Sequence, residues 1–106
     1  MKQILTILAL VVSQMCASQI VVIQINAKWN AKNTMEELED LDGCEYVFGW
    51  LEDQPYEIKT NIVAVPVVVV YKDNVPKMQY LADISLKLNA TKEEIQGFVD
   101  ALKEED

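Results

Sequence analysis

Cys16 and Cys44 are the side chains of this sequence best suited to redox or nucleophilic chemistry, yet little around them supports it. A reactive cysteine works as a thiolate, which a neighbouring cation or a helix N-terminus must stabilise. The chain has no histidine and no arginine, and its nine basic residues are all lysines. Without imidazole there is no Ser-His-Asp or Cys-His relay and no ordinary zinc site. Without guanidinium there is no bidentate fork for phosphate or carboxylate. The separation of the two cysteines fits neither a metal knuckle nor a C-x-x-C pair. They read as two small buried apolar side chains. A bridge between them would need Cα atoms within about 7 Å, which spacing alone leaves open. No catalytic residue, metal site or cofactor is therefore expected.

The remaining titratable groups are mostly carboxylates. Nine of them, Glu36, Glu37, Glu39, Asp40, Asp42, Glu45, Glu52, Asp53 and Glu57, fall between positions 33 and 58, with no lysine among them. The simplest reading is a solvated face. The functional reading is a docking surface for a basic protein partner, recognised by salt-sensitive association. No Asp-x-Asp-x-Asp-Gly pattern supports a calcium loop. A formal net charge of −8 opposes contact with a phosphate backbone, so nucleic acid is not an expected partner.

The elements that must position these groups follow from pattern. At 106 residues and 51% apolar content, the chain makes one domain with one core. Residues 19–26 form a β-branched, nearly continuous apolar run, as in a central strand covered on both faces. Residues 34–41 predict a short helix, capped by Asn33 or Thr34, with Glu36 and Glu37 at its positive end and Met35, Leu38 and Leu41 inward. Asp42-Gly43 ends it. Residues 45–52 alternate as a strand, Tyr46, Phe48 and Trp50 on one face and Val47 and Leu51 on the other. A helical turn over 54–60 precedes the valine strand 67–71. Lys72-Asp73-Asn74 reads as a hairpin turn, and 75–81 as an antiparallel return whose Pro76 marks an edge. After a loop over 83–90, Thr91-x-x-Glu94 is a capping box for a last helix with Ile95, Phe98, Val99 and Leu102 inward. The order βαβαβαββα predicts a mixed sheet with helices on both faces.

Residues 1–18 admit two readings. They suit a first strand (2–6) and helix (7–17) of the domain, the preferred reading. A lysine, a short apolar run and small residues also suit a secretory signal, which leaves secretion open beside a location in the cytoplasm or in a protein assembly. The run is too short for a membrane span, which takes about 20 residues.

Several of these segments, taken in order, resemble the thioredoxin family over nearly the whole chain. They are the strand leading into Ala27-Lys28-Trp29, the loop Asn30-Ala31-Lys32-Asn33, Val65-Pro66 with its valine strand, the Tyr71-Lys72-Asp73-Asn74 hairpin and the terminal amphipathic helix. The resemblance implies an α/β thioredoxin-like fold, a cis bond at Val65-Pro66, and Trp29 beside that proline on the surface. It also marks three departures. Asn30 and Asn33 stand at the two positions of the family's C-x-x-C, so the nucleophilic and resolving thiols are missing. Gln24 stands where the family tends to bury a proton-carrying carboxylate. The helix after the loop is cut to about two turns, at 3.6 residues each, so the face it would cover must be open or filled otherwise.

What the resemblance leaves is binding. In redox relatives the backbone before the cis-proline pairs with a peptide as an added strand, which needs no cysteine. Trp29, Asn30, Asn33, Val65 and Pro66 are thus the candidate protein-binding residues. The expected function is a redox-inactive binding or structural module, a subunit of a larger assembly such as a phage or virus particle. The alternative is a thiol–disulfide oxidoreductase or chaperone-like relative acting through Cys44 or a partner's thiol.

Overall fold

The computed structural model describes residues 19–105. The expected first strand, first helix and Cys16 lie outside the described residues. Four strands, β1 (Ile20–Asn26), β2 (Glu45–Trp50), β3 (Val67–Lys72) and β4 (Val75–Leu81), form one sheet in the order β2-β1-β3-β4. β1 runs parallel to β2 and antiparallel to β3, and β3 runs antiparallel to β4, so the sheet is mixed as its connections require.

Alternation along β1 and β3 divides the core in two. Val21, Ile23 and Ile25 meet Val67, Val69 and Tyr71 on one face, with Val47, Leu51 and Ile62 packed against them. Ile20 and Val22 meet Val68 and Val70 on the other, covered by Leu38, Leu41 and the helix residues Ile95, Val99 and Leu102. Both strands are buried along their whole length, which is why they read as unbroken apolar runs.

A four-residue helix, α1 (Tyr56–Lys59), precedes the cis Val65–Pro66 bond, and a twelve-residue helix, α2 (Lys92–Lys103), closes the chain. Thr91 accepts from the Glu94 N–H at 3.0 Å while Glu94 accepts from the Thr91 N–H at 2.8 Å, a complete capping box. At the other end Lys72, on the same sheet face, donates to the Leu102 carbonyl at 2.7 Å, placing a cation at the negative end of α2. Asp73 and Asn74 both take positive φ, 52° and 72°, the conformation a two-residue hairpin turn needs.

The segment after β1 departs from expectation. In place of an α-helix over 34–41 there is a 3₁₀ stretch, Glu36–Asp40, preceded by another over Lys28–Asn33, and neither has a side-chain cap. Met35 between them is non-helical, at φ −85° and ψ 88°. Five residues then remain before Leu41, too few to repay α-helix nucleation. The spacing of Met35, Leu38 and Leu41, three residues each time, suits the three-residue turn of a 3₁₀ helix, so Leu38 and Leu41 still reach the core. Gly43, at φ +79°, turns the chain into β2.

Candidate functional site

The loop at the C-terminal end of β1 rests on two buried amides. Alternation carries the Ile20–Val22 face on to Gln24 and Asn26, and both are fully buried. Asn26 uses all four of its hydrogen-bonding positions. Its Nδ2 donates to the Asn30 carbonyl (2.9 Å) and to Thr34 Oγ1 (2.8 Å), while its Oδ1 accepts from the Ala27 N–H (2.9 Å) and from Asn30 Nδ2 (3.1 Å). Gln24 donates to the Met35 carbonyl (3.1 Å) and to the Tyr46 hydroxyl (2.7 Å) and accepts from the Met35 N–H (3.0 Å). A glutamine here has no proton to carry at any ordinary pH. It is a structural clamp.

Asn30 is turned inward, only 3% exposed. Besides Asn26, its Nδ2 faces the carbonyls of Leu86 at 3.1 Å and Val65 at 3.5 Å, and its Oδ1 accepts from Asn33 Nδ2 at 2.8 Å. One side chain thereby joins three segments: the loop after β1, the chain before Pro66 and the loop after β4. The last is shaped by Ser85, whose N–H and hydroxyl both donate to Asp83 and hold its carboxyl below the usual range, and by Leu86 at φ +66°.

The five candidate binding residues separate on this geometry. Asn30, Val65 and Pro66 are buried and Asn33 is half-buried, whereas Trp29 is 67% exposed. Ile84 is fully exposed on the loop that reaches Asn30 through Leu86, and Val63 is exposed two residues before Val65. The apolar groups that solvent meets on the three segments joined by Asn30 are thus Trp29, Val63 and Ile84, while the polar groups beneath are spent on one another. On the far side Glu52 accepts the Lys28 N–H with both carboxylate oxygens (2.9 and 3.0 Å), tying the loop to the end of β2.

Cys44 is not part of this site. It precedes β2, whose first residue is level with Val21 and whose last is level with Asn26. Strand rise therefore separates it from the loop by on the order of 20 Å. Burial pushes its thiol up to about 11, against an opposing pull from Lys103.

The aromatic face of β2 is open where a longer helix would cover it. Ala31, Thr34, Glu36, Glu39, Tyr46, Phe48 and Trp50 line a groove of about 370 Å³. Phe48 and Trp50 stack edge to face there, with ring centres 4.8 Å apart. The sequence reading expected a face here that is open or filled otherwise, and put Tyr46, Phe48 and Trp50 on one face of the strand, but did not place Glu36 and Glu39 beside them. It missed Asn26 altogether, although an asparagine ending an apolar strand on the same face as a glutamine was a signal.

Among the described residues no cluster of His, Cys, Asp and Glu could hold a metal ion, and no helix is long and apolar enough to cross a membrane. No protein-family model and no curated protein sequence matches the chain. Solved structures do match it, 22 chains in all. One is the solution structure of the oxidised thioredoxin from Plasmodium falciparum, 17% identical, with a TM-score of 0.56 over 91% of this chain and 89% of that one. The chain has a thioredoxin-like α/β fold, carried on a divergent sequence.

Proposed function

We propose that this thioredoxin-like chain is a redox-inactive module that binds another protein through the surface around Trp29, as a subunit of a larger assembly. The observation that carries the reading is the contrast within one loop. Trp29 stands 67% exposed on a backbone fixed from below by Asn26 and Asn30. A large aromatic side chain in water on an ordered backbone is the kind of residue that dominates binding energy at interfaces. Amides at positions 30 and 33 supply no thiolate, and Cys44 is remote and disfavoured as one. Strand addition to the chain before Pro66 would meet solvent at Val63, which is exposed, rather than at the buried Val65.

The test is a photo-cross-linking amino acid in place of Trp29, read by mass spectrometry in the native source, together with Trp29→Ala. Trp29→Ala should weaken capture of the cross-linked protein at least about 30-fold, the loss of about 2 kcal/mol expected of a hot spot. Unchanged capture would remove the loop from the interface. Insulin reduction by dithiothreitol well above the uncatalysed rate would favour an oxidoreductase instead.

A further inference from the structure

We infer that the groove between the 3₁₀ segment Glu36–Asp40 and β2 receives a lysine side chain from a basic segment of a partner protein. This surface borders the loop that carries Trp29, through Ala31 and Thr34, but Trp29 does not line it, and it goes beyond the reading given for that loop.

The groove has an aromatic wall and an acidic rim. Tyr46, Phe48 and Trp50 alternate along β2 and so share one face, and all three remain only half-buried. Glu36 and Glu39 are exposed and line the same groove. They are three residues apart in a 3₁₀ segment, where side chains at i and i+3 eclipse, so both carboxylates stand on one side. Among the described residues neither forms an ion pair. The two described ion pairs are Lys28 with Asp53 and Lys103 with Asp100, both outside the groove. Tyr46 feels Glu39 directly: burial raises its pKa and the carboxylate raises it further.

Such a lining suits one chemistry. An aromatic face attracts a cation through its quadrupole. A lysine also has an aliphatic stem that can lie along Phe48 and Trp50 while its ammonium reaches the glutamates. About 370 Å³ lies within the usual range of ligand clefts, about 300–1,000 Å³. Anions are repelled by the rim, and a neutral apolar side chain would leave the carboxylates without a partner. A second copy of this chain, at net charge −8, would bring like charge to the same rim. Charge complementarity therefore selects a basic partner of a different kind. The opening lies where the five-residue 3₁₀ segment faces β2 and leaves Tyr46, Phe48 and Trp50 only half-buried.

Hexalysine serves as the probe and hexaglutamine as its neutral control, at an ionic strength of about 0.15 M. In amide-resolved NMR titrations, hexalysine should move the Trp50 indole N–H and the backbone signals of Glu36, Glu39, Tyr46 and Phe48 most, and hexaglutamine should move none of them. The surface variant Glu36→Gln/Glu39→Gln, which leaves the core untouched, should weaken hexalysine binding at least about tenfold, and Phe48→Ala should weaken it about as much. Undiminished binding in the double glutamine variant overturns the proposal. So do shifts spread evenly over Asp42, Glu45, Asp53 and Glu57, which would mean a diffuse attraction to the acidic face. Cross-linking at position 29 reports the loop alone, so the two readings fail separately.

Discussion

Gln24 closes on Met35 as one strand closes on another: its amide accepts the Met35 N–H at 3.0 Å and donates to the Met35 carbonyl at 3.1 Å. A second glutamine repeats the arrangement at the other end of the same short segment. Gln96 on α2 accepts the Asp42 N–H at 2.8 Å and donates to the Asp42 carbonyl at 2.9 Å. The connection from β1 to β2 is thus held by two side-chain amides, where a longer helix would have satisfied its own backbone.

Gln24→Ala should cost about 2–4 kcal/mol, because it leaves the half-buried Met35 N–H and carbonyl without their partner and opens a cavity at a fully buried side chain. Urea denaturation measures the loss. Gln24→Glu adds a pH signature. A carboxyl buried at this site has its pKa raised above the unfolded value of about 4.3, so the penalty relative to wild type is smallest below that pH and grows as pH rises through it. A pH-independent difference between the two proteins would count against the clamp.

Asn30 and Trp29, adjacent in sequence, should behave oppositely. Asn30→Ala removes the link among three segments and should destabilise the fold by about 2–3 kcal/mol, with faster amide exchange at Val65 and Leu86. Trp29→Ala should change stability by no more than about 0.5 kcal/mol. Equal effects in the two variants would mean that the loop is not organised around Asn30.

In a Cys16→Ser background, alkylation of Cys44 by iodoacetamide should be slow at neutral pH. It should rise about tenfold per pH unit towards about 11, where the thiol titrates. A plateau already near pH 8.5, the value of a free thiol, would show an unperturbed cysteine.

Thr91→Ala should lower stability by about 1 kcal/mol through loss of the cap on α2. In a domain of this size that corresponds to roughly 4–8 °C in Tm, read by calorimetry. Thr91→Ser should recover most of it.

The elements that were legible in the sequence rest on local chemistry. The β-branched runs, the Asp73-Asn74 turn and the Thr91/Glu94 box each declare themselves within a few residues. What was not legible is non-local. Gln24 reaches Met35 across eleven positions and Asn30 reaches Leu86 across fifty-six. No composition rule places an asparagine at 3% exposure in the loop beside an exposed tryptophan. The helix expected over 34–41 failed for the same reason: the Gln24 side chain from β1, unseen in the local pattern, holds Met35 out of helical geometry. Hence the fold could be read ahead of the structure, but the division of the loop into buried amides and an exposed indole could not.

Asn30 has a last consequence, for what the loop can exchange. Placing cysteines at positions 30 and 33 would remove the amide that Asn26, Val65 and Leu86 all face. A thiol, a weak donor with one hydrogen, cannot replace those bonds. Cysteine at position 30 therefore carries a loss of stability, and Asn33, whose Nδ2 donates to Asn30 Oδ1, would lose that partner with it. The amides of the loop stand in mutual dependence, so a thiol fits there only if several of them change together.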